Sequence, residues 1–228
     1  MRYLAIGDIH GCYTALRALV DFVDLQSDDV LITLGDYIDR GPNSRAVIDW
    51  LIKFPCEGQL VPIRGNHEIM MMWAREDELA RPDWLTYGGV ATLNSYPPET
   101  GAGTATLADV PEHHWEFMAD TCQAFYEIDS HFFVHANVHP ELPLSQQPDD
   151  MLYWQRFGTM SAHESGKIMV CGHTPQVSGI PVSIGHAVCV DTWAYGEGWL
   201  SCLDVKTGQY WQANQRGQTR EAMLEVHQ

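Results

Sequence analysis

Residues 30–41 read VLITLGDYIDRG: an apolar, β-branched run that stops at a glycine-flanked loop carrying Asp36, Asp39 and Arg40. The first five residues have the composition of a buried strand. A surface turn after such a strand needs glycine and can use one aspartate. It does not call for two acids and a guanidinium. Working outward, the same arrangement occurs on both sides. YLAIGDIHG (3–11) places Asp8 and His10 after an apolar run, and QLVPIRGNHE (59–68) places Asn66, His67 and Glu68 after another. Helical-period stretches follow the first two loops, CYTALRALVDFVDL and SRAVIDWLIKF (44–54). Strand, loop and helix thus alternate three times in about 70 residues, which predicts a parallel α/β core. In such sheets the loops at the carboxyl ends of the strands share one edge, where ligands bind.

Farther along, residues 70–110 break the alternation. MMMWAR continues a helix, and the Gly-, Pro- and Thr-rich WLTYGGVATLNSYPPETGAGTATLADV reads as an excursion over the core, within a single domain spanning 1–228. PEHHWEFMADTCQAF is expected to be helical, with Pro111 near its first turn. FYEIDSHFFVHA contains two short strands, KIMVCGHTP another strand-to-loop unit, and VSIGHAVCVDTWA and WLSCLDVKTGQYWQA late antiparallel strands. The polar tail, 216–228, is expected to fray.

Composition narrows the function. Thirteen basic residues against 30 acidic ones give a net charge of −17, which opposes nonspecific binding to nucleic acid or anionic membranes. A phosphate-bearing substrate would then need local positive charge from arginines or metal ions. Six cysteines without a CxxC spacing, an apolar start interrupted at Asp8 and no run of membrane-spanning length suggest reduced thiols in a cytoplasmic protein.

Five strand-ending loops carry metal-ligand residue types: Asp8 with His10, Asp36 with Asp39 and Arg40, Asn66 with His67 and Glu68, His135 in FFVHA, and His173 in CGHTP. Alone, each is compatible with an ordinary turn or a buried core histidine. Together they supply too many ligands for one open catalytic ion and suit two ions sharing a bridging carboxylate. Carboxylates mixed with imidazoles favour Mn, Fe or Zn over Mg or Ca.

GDIHG (7–11), GDYIDRG (35–41) and RGNHE (64–68), followed by His135 and His173, resemble the signature blocks of the phosphoprotein phosphatase branch of the calcineurin-like metallophosphoesterases, in its compact bacterial and phage form. The resemblance implies two mixed β-sheets packed face to face with helices outside, a four-layer α/β sandwich. It implies that Asp8 and His10 hold one metal ion, that Asp36 bridges, and that Asn66, His135 and His173 complete the second site. Two divalent ions, most commonly Mn²⁺, would activate a bridging water for in-line attack on phosphorus. Arg40, with Arg156 of YWQRFG, would bind phosphoryl oxygens. His67 would protonate the leaving oxygen, and Asp39 would orient His67. The leading substrate is then phosphoserine or phosphothreonine in a protein, with phosphotyrosine also admitted. The alternative on the same site is symmetrical hydrolysis of diadenosine tetraphosphate, or another nucleotide or RNA-end phosphate. A non-catalytic metal-binding module would have lost His67, Asp39 or a ligand, and all are present. The chain also departs from eukaryotic relatives: Ala136 and Asn137 follow His135 where those carry two glycines.

Overall fold

A computed structural model describes residues 1–54, 59–98, 101 and 103–225. Three strand–loop–helix units open the chain: β1 (Tyr3–Ile6) to α1 (Tyr13–Val23), β2 (Val30–Thr33) to α2 (Ser44–Lys53), and β3 (Gln59–Pro62) to α3 (Asn66–Glu76). β1, β2 and β3 pair in parallel, as the alternation predicts. The excursion holds two short helices, α4 (Arg81–Trp84) and α5 (Val90–Ser95), joined by a π-helical turn at Leu85–Gly89. Pro111 immediately precedes α6 (Glu112–Glu116). The helix expected there is shorter than its pattern suggested, because Phe117–Thr121 widens into a π turn.

The rest of the chain is mainly β: β4 (Phe125–Glu127), β5 (His131–Val134), β6 (Ile168–Cys171), β7 (Val182–Ser183), β8 (Ala187–Cys189), β9 (Leu200–Asp204), β10 (Gln209–Ala213) and β11 (Thr219–Met223), with α7 (Asp149–Trp154) between β5 and β6. One sheet runs β11-β10-β9-β1-β2-β3 and the other β4-β5-β6-β8-β7. Both are mixed, since β9 lies antiparallel to β1 while β5, β6 and β8 are parallel. Of the tail expected to fray, Thr219–Met223 forms β11, which pairs with β10 over five residues although all five side chains are exposed, and 226–228 lie outside the described residues. Ladder hydrogen bonds hold it, together with Arg220, which donates to Gln212 and the Gly179 carbonyl and lies over the Trp199 ring.

Side-chain alternation sorts the core into layers. In β5, Phe132 and Val134 face the α7 side, whereas Phe133 faces the other sheet. β6 repeats this, with Met169 and Cys171 outward and Val170 inward. In β1, Leu4 and Ile6 pack against α1 and α2 while Ala5 points inward to meet Val170 and Val188. The architecture is therefore helix, sheet, sheet, helix: the α/β sandwich of two mixed sheets. Each fully buried Leu, Ile or Phe contributes roughly 1.5–3 kcal/mol, so the inner seam fixes how the two sheets' strand ends meet. Among the described residues, Cys12, Cys122, Cys171, Cys189 and Cys202 are free and buried; Cys56 lies outside the described residues. Among the described residues, no helix is long and apolar enough to cross a membrane.

Candidate active site

The loops after β1, β2 and β3 meet those after β5 and β6 at one edge of the sandwich. Their backbone is unusual. Among the described residues, seven non-glycines have positive φ, and five of them are His10, Asp36, Asp39, Arg40 and His173. Each such residue costs on the order of 1–2 kcal/mol, so the surroundings must hold it. The Asp36 carbonyl accepts the N–H groups of Ile9 and His10 at 3.1 and 2.7 Å. Glu68 accepts the N–H groups of Gly65, Asp36 and Tyr37 at 2.8–2.9 Å, so the loop after β3 clasps the loop after β2. Gly65 allows this approach: a Cβ there would overlap Asp36 Oδ1.

Four lone pairs converge on one point. His135 Nδ1 donates to the Leu34 carbonyl at 2.7 Å, which leaves Nε2 unprotonated in the neutral ring. That Nε2 lies 2.9 Å from Asn66 Oδ1, 3.2 Å from His173 Nδ1 and 3.4 Å from Asp36 Oδ1. His173 donates from Nε2 to the Trp154 carbonyl at 3.2 Å, freeing its Nδ1 in turn. Acceptors packed against acceptors fit a cation at their centre. Beside them, His10 donates from Nδ1 to the Ile38 carbonyl at 2.8 Å and presents Nε2 to Asp36 Oδ2 at 3.4 Å and Asp8 Oδ2 at 4.0 Å. The Arg40 guanidinium lies 2.7 Å from that Nε2, a positive group standing where the donors call for one. Asp36 thus faces both clusters, and His67 Nε2 also stands 3.8 Å from its Oδ2, so that His10, Asp36 and His67 form one convergent group and Asp36, His135 and His173 another.

The electrostatics divide the histidines. Burial lowers the pKa of His10, His135 and His173, the last to about 4, so all three rings are neutral at pH 7. His67 goes the other way: burial pulls it down, but the Asp36 charge and the Asp39 hydrogen bond outweigh that and raise it. Burial likewise pushes Asp36 up, yet the surrounding histidines hold it below the usual carboxylate range. Asp8 is pushed well up by burial and by the charge of Asp191, which is itself raised to about 7 by burial. Among the described residues, Asp191 Oδ2 is buried without a hydrogen bond of good geometry, its carboxyl lying beside that of Asp8.

Asp39 faces away from these clusters. Its Oδ2 lies 2.6 Å from His67 Nδ1 and accepts Trp84 Nε1–H at 3.0 Å, while Thr92 donates to Oδ1 at 2.6 Å. Its N–H is shared between Ser44 and Thr92 hydroxyls. Trp84 and Thr92 come from the excursion, which the sequence places over the core and at the pocket without marking these two residues. Gly88, at φ 123°, lets that segment reach Arg40: a Cβ there would meet the Arg40 nitrogen at 2.7 Å. Tyr195 carries the Arg40 guanidinium 4.5 Å over its ring and packs edge-on against His10. Arg156 lines the same cleft, and the Asn137 side chain holds its carbonyl at 3.2 Å. Arg64 instead grips the carbonyls of Met118, Ala119 and Cys122, fixing the turn after α6. A third cluster, Asp49 with His113 and His114, is elsewhere; there the Arg45 guanidinium, 3.7 Å from Asp49, supplies the positive charge. The cleft over Asp36, Asn66 and His67 has a volume of about 510 Å³.

The calcineurin-like phosphoesterase family matches residues 1–199 of the chain. The chain belongs to that family. As a calcineurin-like phosphoesterase it is similar to a symmetrical bis(5′-nucleosyl)-tetraphosphatase of Wigglesworthia glossinidia brevipalpis, 33% identical over 89 residues, covering 38% of this chain and 32% of the relative. It is also similar to serine/threonine-protein phosphatase 1 of Salmonella typhimurium, 38% identical over 85 residues, covering 37% of each. These matches span about a third of the length of those relatives. In fold it resembles a putative diadenosine tetraphosphatase of known structure, with a TM-score of 0.65, 17% identity and coverage of 98% of this chain and 94% of the other.

Proposed function

We propose that the protein is a two-metal phosphohydrolase that transfers a phosphoryl group from an ester or anhydride to water. Asp36 carries this reading, because one carboxylate serves two convergent donor clusters. Asp8, His10 and Asp36 would hold one divalent ion and Asp36, Asn66, His135 and His173 the other, a mixed set suited to Mn, Fe or Zn. Bound ions of this kind supply a nucleophile at neutral pH and neutralise charge on the phosphoryl oxygens. The chain's own groups do the rest. Arg40, steadied by Tyr195, offers a planar fork for two phosphoryl oxygens, and Arg156 adds a second positive group. His67, whose pKa the Asp36 charge and the Asp39 hydrogen bond raise, gives a proton from Nε2 to the leaving oxygen, while Asp39 fixes the ring through Nδ1.

Trp84 positions Asp39 and should be felt in turnover. Trp84→Phe removes one hydrogen bond to a buried carboxylate, worth about 1.5–3 kcal/mol. Turnover of an alkyl phosphate is expected to fall roughly ten- to hundredfold. Metal content measured on the same sample should stay at the wild-type value; a loss of metal in step with activity would place Trp84 in the metal sites instead.

Of the two substrate classes the sequence left open, a nucleoside polyphosphate is favoured over a phosphoserine or phosphothreonine side chain. The cleft is far larger than one phosphorylated side chain, and Trp73, Tyr87 and Trp154 line it. The similarity to the Wigglesworthia bis(5′-nucleosyl)-tetraphosphatase supports the same reading. The likeness to serine/threonine-protein phosphatase 1 supports the phosphopeptide as second reading. After chelation the protein should hydrolyse neither substrate, and Mn²⁺ should restore diadenosine tetraphosphate cleavage above that of a phosphoserine peptide. Activity surviving exhaustive chelation would refute the two-metal reading, and the reverse preference would refute the nucleotide reading alone.

A further inference from the structure

Three large aromatic side chains stand at the mouth of the cleft with much of their surface in water: Trp73 at 51% exposure, Tyr87 at 57% and Trp154 at 36%. Most of the chain's other tryptophans are buried, among them Trp84 and Trp115 at 1% and 4%. Trp73 and Trp154 come from different helices, α3 and α7, yet their rings stack within 12° of parallel at a centroid distance of 6.0 Å. They form a stacked aromatic pair held from two helices.

That surface is registered to the catalytic centre twice. Asn66, Met70 and Trp73 follow one another at i, i+4 and i+7 on α3 and all line the cleft, so Trp73 lies two turns, about 10 Å, beyond the metal-ligating amide. Trp154 is tied in directly, since its carbonyl accepts the Nε2–H of His173. A phosphotyrosyl ring is joined to its phosphorus by one oxygen and would stop short of this surface. A nucleobase is separated from the reacting phosphorus by a ribose and at least one further phosphate, which matches the gap. Arg40 and Arg156 line the same cleft and suit phosphoryl oxygens, and the exposed Asp83, also in its lining, can accept hydrogen bonds from an amino-bearing base edge.

We infer that Trp73, Trp154 and Tyr87 form a stacking subsite for the base of a nucleoside polyphosphate, setting which phosphorus reaches the metal-ligand loops. This rests on the nucleotide reading of the same site. Stacking is tolerant of base identity, so adenine and guanine substrates should bind comparably.

The test compares the Mn²⁺-loaded full chain with Trp73→Ala, Trp154→Ala and Trp73→Phe on diadenosine tetraphosphate, inorganic tripolyphosphate, p-nitrophenyl phosphate and a phosphotyrosine peptide. Either alanine variant should raise KM for the dinucleotide roughly five- to hundredfold, with no comparable change for tripolyphosphate, which has no ring. Trp73→Phe should restore most of the loss, and unchanged thermal midpoints exclude misfolding. An equal loss on both substrates, or a KM rise confined to the phosphotyrosine peptide, would overturn the inference. Wild-type protein that cleaves p-nitrophenyl phosphate but no nucleotide would overturn it and leave the two-metal reading intact. Failure on every substrate would remove that reading as well.

Discussion

Asp36→Asn is expected to strip the protein of bound divalent ions and to lower turnover by about 10³-fold or more, the equivalent of several kcal/mol of transition-state stabilisation. The replacement keeps the shape of the side chain, and the amide oxygen can still accept the His67 N–H that Asp36 accepts at 3.1 Å. What it loses is the negative charge and the lone pairs of Oδ2, which faces His10 at 3.4 Å, while the retained oxygen still faces His135 at 3.4 Å without its charge. Both clusters lose the shared charge at once, so the effect should exceed that of removing any ligand that serves one ion. Equilibrium dialysis against Mn²⁺ and steady-state kinetics measure the two losses. Full metal content with activity within tenfold of wild type would mean that Asp36 is not the bridge.

His67→Asn should produce a different signature. Metal content stays, because His67 faces Asp39 at 2.6 Å through Nδ1 and has its pKa raised, opposite to the three imidazoles around it. Turnover of an alkyl phosphate falls about 10²–10⁴-fold, the usual range for a lost general acid. An aryl ester, whose leaving oxygen needs little protonation, suffers much less. The ratio of the two rates is the readout, and equal losses on both esters would show that His67 does not protonate the leaving group. Asp39→Asn should follow His67 in this pattern, not Asp36, since Asp39 holds the ring and meets neither donor cluster.

Much of this was legible in the sequence because the site is built from local units. Strand, glycine and acid recur in the first 70 residues, and each loop carries its own ligand types in a few consecutive positions. The two-sheet architecture and the division between Asp36 and Asp39 follow from those blocks and from the resemblance they carry. The partners of Asp39 were not legible. Trp84 and Thr92 lie 45 and 53 residues from it, and neither spacing nor composition marks a tryptophan N–H or a threonine hydroxyl as aimed at a carboxylate. Tyr195 and the Trp73–Trp154 stack were missed for the same reason: they are assembled by packing across distant elements. β11 has no apolar alternation to read, and it forms because β10 offers it an unpaired edge.

If Asp36 joins two cation sites, electron paramagnetic resonance of the Mn²⁺-loaded protein will read the joining out. Two ions roughly 3.5–4 Å apart through a shared ligand should give an exchange-coupled spectrum at two Mn²⁺ per chain, which Asp36→Asn abolishes. A stoichiometry of one, or two ions with uncoupled spectra, would contradict the account.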